Sequence, residues 1–399
     1  MFVYTSITKS YLPKARVLAK SVKRFHPDWT FVLLYSDDLP ADFDLNQEPF
    51  DEILTLEQLG LPAWKAWAFG HTVVELCTAV KGTAAELLAQ RQGVNKIMYL
   101  DPDIKVFGSL STLESLLDRH DILLTPHLLD AEQDINAIQD NEISALKHGV
   151  YNLGFFAART SGQGLDFIRW WAERLRLFCR DDIPGGLFTD QRWCDLAPAF
   201  FSGLGIVRDR GCNVATWNLA HRRLSKDDSG AFFVAGVPLR FYHFTGYDSG
   251  DGLGMLMRYA SDQTTAHELW NSYAKDLLAE GQGDTRYKGW YYGQFDNGEA
   301  IPSEARRLYR ARADLQKTFP NPYSVAEPCY LSWWKTEIAN GNLAVAGCGT
   351  AKPRSVVGRL IEGLFSPDIA IHIAKSAIAV LKREGILGLL QRVRQYSKP

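Results

Sequence analysis

The chain predicts an α/β fold: a mostly parallel sheet flanked by helices, with a helical C-terminal extension. Three observations predict it. The first 125 residues alternate strand-like and helix-like segments, the rhythm of a parallel sheet with helices packed on it. An apolar stretch over 96–100 then runs straight into two carboxylates, Asp101 and Asp103, at the end of a strand where open sheets of this kind bind ligands. From about residue 256 to 340 helical patterns dominate.

Strands are expected at 2–7, 31–35, 96–100 and 121–125. Between the first two, Leu12, Ala15, Leu18, Ala19, Val22 and Phe25 recur every three to four positions with Lys and Arg between them, an amphipathic helix that covers one face of the sheet. A second helical pair, 64–81 and 83–91, leads through Gly93 into the strand that delivers Asp101, so the acidic turn ends a crossover unit. Beyond it, 152–158 reads as a buried strand, 164–178 as an amphipathic helix, 189–196 as a short helix and 239–244 as a further strand. Residues 246–254, with Gly246, Gly250, Gly252 and Gly254, lack a helical period and read as a loop, either a lid over a ligand or a linker. The division expected is a domain over 1–250, a mainly helical extension over 251–350 and a tail over 351–399.

Composition narrows the function. The 399 residues, 46% hydrophobic and 23% charged, are those of a globular protein with one large core or two domains. A formal net charge of −2, with no zinc-finger spacing and no evenly basic face, argues against nucleic acid as a partner. Six cysteines without C-x-x-C spacing indicate neither a zinc site nor a disulfide framework, and reduced thiols in the cytoplasm are the simplest account. Met1 leads directly into a strand-like segment without a secretory pattern, and no run of eighteen apolar residues offers a membrane span. Charge is nonetheless segregated: from Lys352 to Lys398 nine Lys/Arg stand against three Asp/Glu. The apolar Ile369, Ile373, Ala377 and Leu381 alternate there with basic residues in a helical pattern. Such a face can lie on an anionic membrane surface, each cation contributing about 1 kcal/mol, or pack against the protein or another subunit.

Asp101 and Asp103, spaced i, i+2 around Pro102, can share one hard cation such as Mg²⁺ or Mn²⁺ and leave coordination sites for diphosphate oxygens. The same tripeptide also serves as an ordinary turn. No phosphate-binding glycine loop of either common kind occurs, so a nucleotide would have to be held another way, with metal coordination as the substitute.

Further motifs follow in a telling order. They are Tyr4-Thr5-Ser6-Ile7 with Tyr11-Leu12, the segment from Glu75 to Lys81, Asp101-Pro102-Asp103, Asn152-Leu153-Gly154-Phe155-Phe156, Thr189-Asp190-Gln191 and Tyr242-His243-Phe244-Thr245-Gly246. In order and spacing, residues 1–250 resemble metal-dependent GT-A-type glycosyltransferases, especially the family 8-like group that includes glycogenin and lipopolysaccharide galactosyltransferases. The resemblance implies that Thr5 and Ser6 belong to a nucleobase-binding strand and that Lys81 contacts the diphosphate or sugar. It further implies that Asn152, Asp190 and Gln191 border the transferred sugar, that Asp101, Asp103 and His243 hold Mn²⁺ or Mg²⁺ with Asp101 also reaching the ribose, and that Gly246 approaches the diphosphate. Leu153 replaces a small residue of that pattern, and the Lys-Pro-Trp that follows the glycine in the family is absent.

Taken singly, His243 is an ordinary core histidine, Lys81 a solvated helix-end charge, Asp190 a helix N-terminal residue and Asn152 a strand-end amide. The activity implied by the resemblance is transfer of a sugar, with retention, from a nucleotide-diphosphate donor such as a UDP-sugar to a glycan, lipid-linked or lipopolysaccharide acceptor. The place implied is the cytoplasm, at or near the inner face of a membrane reached through residues 353–399. Two alternatives stay open: a nucleotidyltransferase, which would favour a glycine- and lysine-rich loop that Thr5-Ser6-Ile7-Thr8-Lys9 is not, and a non-catalytic carbohydrate-binding or scaffold protein.

Overall fold

Aromatic, β-branched and leucine side chains fill β1 (Phe2–Ile7) and β2 (Thr30–Tyr35) almost without interruption, the composition of strands buried on both faces. In the computed structural model, which describes residues 1–343, these strands lie inside a seven-stranded sheet. The other strands are β3 (Glu52–Thr55), β4 (Lys96–Leu100), β6 (Ile122–Pro126), β7 (Tyr151–Arg159) and Leu204–Ile206. A short β5 (Ile104–Val106) stands outside this sheet. From one edge the order is Leu204–Ile206, β6, β7, β4, β1, β2, β3. Every pairing is parallel except the two made by β7, which runs antiparallel between β4 and β6.

Helix α1 (Leu12–Phe25) opens with a proline in its first turn and buries Leu12, Ala15, Leu18, Ala19 and Val22, the face read from the sequence. It carries the chain across from β1 to the parallel β2. The helical pair expected at 64–81 and 83–91 is divided elsewhere: α2 (Trp64–Phe69) is one turn and a half, and α3 (Val73–Ala89) is continuous through Gly82. Thr72 starts α3 with a reciprocal capping box, its side chain accepting from the Glu75 N–H while the Glu75 carboxylate accepts from the Thr72 N–H. Gly82 breaks nothing because its task is packing. A Cβ there would stand 2.6 Å from Cα of Ala172, on the helix Gly162–Phe178 that lies against α3.

The reading of 246–254 is also corrected. The turn ends at Gly250, and Asp251–Tyr259 is a helix that includes Gly252 and Gly254. The turn itself is tethered, since the buried Lys14 ammonium on α1 pairs with Asp248 at 2.5 Å. The helix expected over 189–196 shrinks to Gln191–Cys194, and the strand expected over 239–244 to Phe241–His243. Met1–Trp333 forms one compact unit, and every element above belongs to it. The basic tail over 351–399 and the end of the extension expected at 350 lie outside the described residues. Among the described residues no helix is long and apolar enough to cross a membrane. The topology is thus a mixed α/β fold, a largely parallel sheet with helices on its faces and further helices towards its C-terminus.

The approach at Gly82 yields a prediction of reversed sign. Alanine in place of an interior helical glycine ordinarily stabilises by about 1 kcal/mol. Here overpacking against backbone costs roughly 1–3 kcal/mol, so Gly82→Ala should lower the urea midpoint by a net loss of up to about 2 kcal/mol. A raised midpoint would contradict the contact.

Candidate active site

The carboxyl end of β4 and a short antiparallel pair outside the main sheet build the acidic centre. After Asp101-Pro102-Asp103 the chain forms β5, which pairs with Phe241–His243 so that Ile104 faces His243. The Phe244 N–H donates to the Asp103 carbonyl at 2.8 Å, locking that register. A local motif and a histidine 140 positions later are thereby joined. His243 Nε2 lies 3.1 Å from Asp103 Oδ1 and 3.8 Å from Asp101 Oδ2. One ligand atom from each of Asp101, Asp103 and His243 falls within 4.8 Å of the others. Two carboxylates and an imidazole at this spacing could coordinate a divalent cation, and the donor set suits Mn²⁺ or Mg²⁺.

Asp101 is oriented by its neighbours. Its Oδ1 accepts from the Tyr99 hydroxyl at 2.6 Å and from Lys81 Nζ at 3.1 Å, which leaves Oδ2 on the side of His243. Lys81, on α3, is buried and fully engaged. Its ammonium also meets Asp190 Oδ2 at 2.9 Å, donates to the Leu153 carbonyl at 3.2 Å and sits 4.2 Å over the Tyr99 ring. Burial disfavours the Lys81 charge, yet Asp101 and Asp190 outweigh it and raise the lysine pKa. At Asp190 burial raises the pKa, Lys81 opposes this, and Asp101 adds to the rise. Asp190 Oδ2 is buried against Lys81, and Oδ1 accepts from the Thr189 hydroxyl at 3.1 Å. The residue before it, Thr189, is held at φ 43°, a strained conformation for a β-branched side chain, while Trp171 Nε1 donates to the Asp190 carbonyl at 3.1 Å.

β7 supplies the remaining wall through a bulge. Its register against β6 jumps between Leu124, opposite Phe156, and Thr125, opposite Asn152, which leaves Leu153, Gly154 and Phe155 without partners on β6. The Leu153 carbonyl receives Lys81, the Gly154 carbonyl receives the Asp101 N–H at 2.8 Å, and the Leu153 N–H donates to Gln191 Oε1 at 3.3 Å. Gly154 must lack a side chain, because a Cβ would stand 2.5 Å from Cε1 of His243. Asn152 Oδ1 faces His243 Nδ1 at 3.1 Å. Gln191 gives its other amide end to the His148 carbonyl at 3.0 Å, so both ends hold the protein itself.

These side chains line one cleft of about 680 Å³. It gathers Lys81, Asp101, Asp103, Asn152, Asp190, Gln191, His243 and Gly246. Thr5 and Ser6 are not among its lining: both are buried at the end of β1, Ser6 Oγ 3.3 Å from Ser36 Oγ and Thr5 Oγ1 without a partner. Among the wall residues that the sequence reading did not single out are His127 and Trp217. His127 directly follows β6, so the rule that singled out Asp101, a polar residue just past a parallel strand, was available for it. Trp217 sits in a single turn of 3-10 helix, Thr216–Asn218, and offered no such signal. Burial brings His127 down to about 4, which leaves its ring neutral near pH 7.

Removing the central cation should cost much of the fold. Lys81→Met leaves Asp101 and Asp190 without their counter-charge and should destabilise by about 3–5 kcal/mol in chemical denaturation near pH 7. An acid whose folded pKa is raised favours the folded state below that pKa and loses this contribution as pH rises through it. With Asp190 shifted upward, the deficit of the variant should therefore shrink in acid and widen towards neutral pH. A deficit independent of pH would contradict the pairing.

Comparison with known proteins places no family model on the chain. Two curated relatives align over part of it, both uncharacterized proteins of Bacillus subtilis (strain 168). YfnF is 27% identical over 183 residues, 43% of this chain and 57% of the relative. YfnD is 30% identical over 101 residues, 25% of this chain and 32% of the relative. The chain thus spans about half the length of the first and a third of the second. Among solved structures, it is similar to the galactosyltransferase LgtC in complex with donor and acceptor sugar analogs, at 18% identity over 68% of this chain and 99% of that one, with a TM-score of 0.36. The glycosyltransferase GlyE of Streptococcus pneumoniae TIGR4 follows at 17% over 52% of this chain and 45% of that one, TM-score 0.34. Mouse xyloside xylosyltransferase 1 follows at 15% over 61% and 97%, TM-score 0.36. None of these likenesses assigns a role to a residue.

Proposed function

We propose that the protein is a metal-dependent glycosyltransferase that moves a sugar from a nucleotide-diphosphate donor, a UDP-sugar foremost, to a glycan or lipid-linked acceptor. The observation that carries the reading is the convergence of Asp101, Asp103 and His243 on one point at the end of a parallel strand, facing Asp190 across a cleft large enough for a small ligand. A bound divalent cation supplies Lewis-acid stabilisation of the departing diphosphate. The chain's own residues do the rest. Asp103 and His243 would hold the cation directly, Asp101 through Oδ2, and Lys81 offsets two of the three carboxylates so that the wall tolerates an anionic donor. Asp190, paired with Lys81, borders the sugar's side of the cleft, and Gln191, with its amide engaged, fixes the β7 bulge that shapes it. The reading extends to retention of anomeric configuration and to residues 353–399 as a membrane contact, each independently testable by product stereochemistry and by vesicle binding of the truncated chain.

Incubation with Mn²⁺ and a panel of sugar nucleotides should release nucleoside diphosphate from one donor and raise the melting temperature with that donor. Asp103→Ala should abolish the metal-dependent rise and lower turnover on the order of a hundredfold or more while the sheet remains folded. Undiminished protection in that variant would remove the metal role.

A second outcome follows from His243. Burial opposes its charge, but Asp103, by attraction and hydrogen bond, and Asp101 raise its pKa above the ordinary imidazole value. The cation must displace that proton, so Mn²⁺ affinity should weaken about tenfold per pH unit as pH falls below the raised pKa and level off above it. Titration calorimetry at several pH values checks this; a flat profile would contradict ligation by His243.

A further inference from the structure

We infer that His127, which touches neither carboxylate of the acidic centre, is a positioning residue that fixes His243 Nε2 as the metal-facing nitrogen through a chain of hydrogen bonds passing through Asn152. The inference rests on the metal reading above. It begins at a backbone carbonyl. The Val150 carbonyl accepts from the His127 N–H at 3.0 Å, and His127 Nδ1 lies 3.3 Å from the same oxygen. A carbonyl can only accept, so Nδ1 carries the proton and the neutral ring presents a lone pair at Nε2. That lone pair faces Asn152 Nδ2 at 3.3 Å, which sets the amide's orientation with Nδ2 towards His127 and Oδ1 towards His243. Oδ1 in turn can only accept, so the proton it meets at 3.1 Å belongs to His243 Nδ1. The remaining nitrogen, Nε2, is the one beside Asp103.

Each link is guarded. Val150 is held by donation of its N–H to Asp195 at 2.8 Å. Trp217 stands edge-on to both His127 and His243, and its Nε1 donates to the His127 carbonyl at 2.9 Å. Gly154 leaves room for the Asn152–His243 contact. Partners outside the coordinating residues that orient a ligating imidazole in this way ordinarily affect metal affinity by about 10- to 100-fold. In this arrangement Asn152 acts on the cation's ligand, which is distinct from contact with the sugar.

The test is a double-mutant cycle in Mn²⁺ affinity on the full chain, with metal-free melting recorded for every variant. His127→Phe, which keeps the ring, should weaken Mn²⁺ binding by about 10- to 100-fold, and His127→Gln, whose amide can both accept from Asn152 and donate to Val150, should recover most of it. Asn152→Leu should weaken binding at least as much, and the pair of substitutions no more than Asn152→Leu alone, because His127 acts only through Asn152. Additive losses, or unchanged affinity in His127→Phe, would overturn the relay. A measurement that needs no variant is the histidine ¹⁵N spectrum of the wild-type chain: His127 should be the Nδ1–H tautomer, and an Nε2–H tautomer would overturn the inference. A wild-type chain that binds neither Mn²⁺ nor Mg²⁺ overturns the metal reading, whereas binding with insensitivity to His127 overturns the relay alone.

Discussion

One buried ammonium, Lys81 Nζ, is the charge on which the cleft depends. Asp101 comes from the end of β4 and Asp190 from a loop 89 positions later, and both lose water where they meet. Two carboxylates brought together in a place of low polarity repel each other unless a cation stands between them. Lys81 does so while also meeting a carbonyl and an aromatic face, so its charge is satisfied in three directions. Its reach is fixed by the adjacent residue, Gly82, where the helix Gly162–Phe178 comes close enough to exclude any side chain. The helix contact and the ion pairs are thus one arrangement: move α3 outward and Lys81 no longer spans both carboxylates.

The second constraint is the antiparallel strand in a sheet that is otherwise parallel. A regular β7 would divide its amides and carbonyls between β4 and β6. The bulge opposite Thr125 leaves Leu153, Gly154 and Phe155 without partners on β6, so that the Leu153 backbone reaches Lys81 and Gln191, while on the other side the Gly154 carbonyl extends the β4 ladder to the Asp101 N–H. Backbone groups cannot rotate away as side chains do, so the polar wall is set by the register of the sheet. The same segment places Asn152 beside His243, whose own position follows from pairing with β5.

Features that depend on neighbours in the chain were legible in the sequence. The strands at 2–7 and 96–100, the buried face of α1 and the acidic turn all follow from local periodicity or from residues one turn apart. What sequence reading missed depends on neighbours in space. Gly82 looks like a helix break until the partner helix is known, and Gly252 looks like loop until its close approach to the Trp270 ring is known. The nucleobase contact that the resemblance implies for Thr5 and Ser6 falls at the end of β1, where both side chains are buried. His127 is informative only through two hydrogen-bond steps, and no spacing in the chain encodes those. The expected tail at 351–399 lies beyond the described residues.

The charge balance of the cleft also orders its ligands. Three carboxylates, Asp101, Asp103 and Asp190, face one ammonium and the imidazole of His243, whose raised pKa reflects the proton it shares with Asp103. That proton occupies the direction in which Nε2 would meet a cation, so it keeps His243 and Asp103 together without one. On the proposed reading, a diphosphate approaching the protonated site would meet net negative charge in a partly buried wall, where Coulomb terms are weakly screened. Exchange of the single proton for a dication would make the wall one unit less negative and add coordination sites for diphosphate oxygens. On that reading electrostatics favours cation before donor, with Lys81 engaging Asp190 throughout.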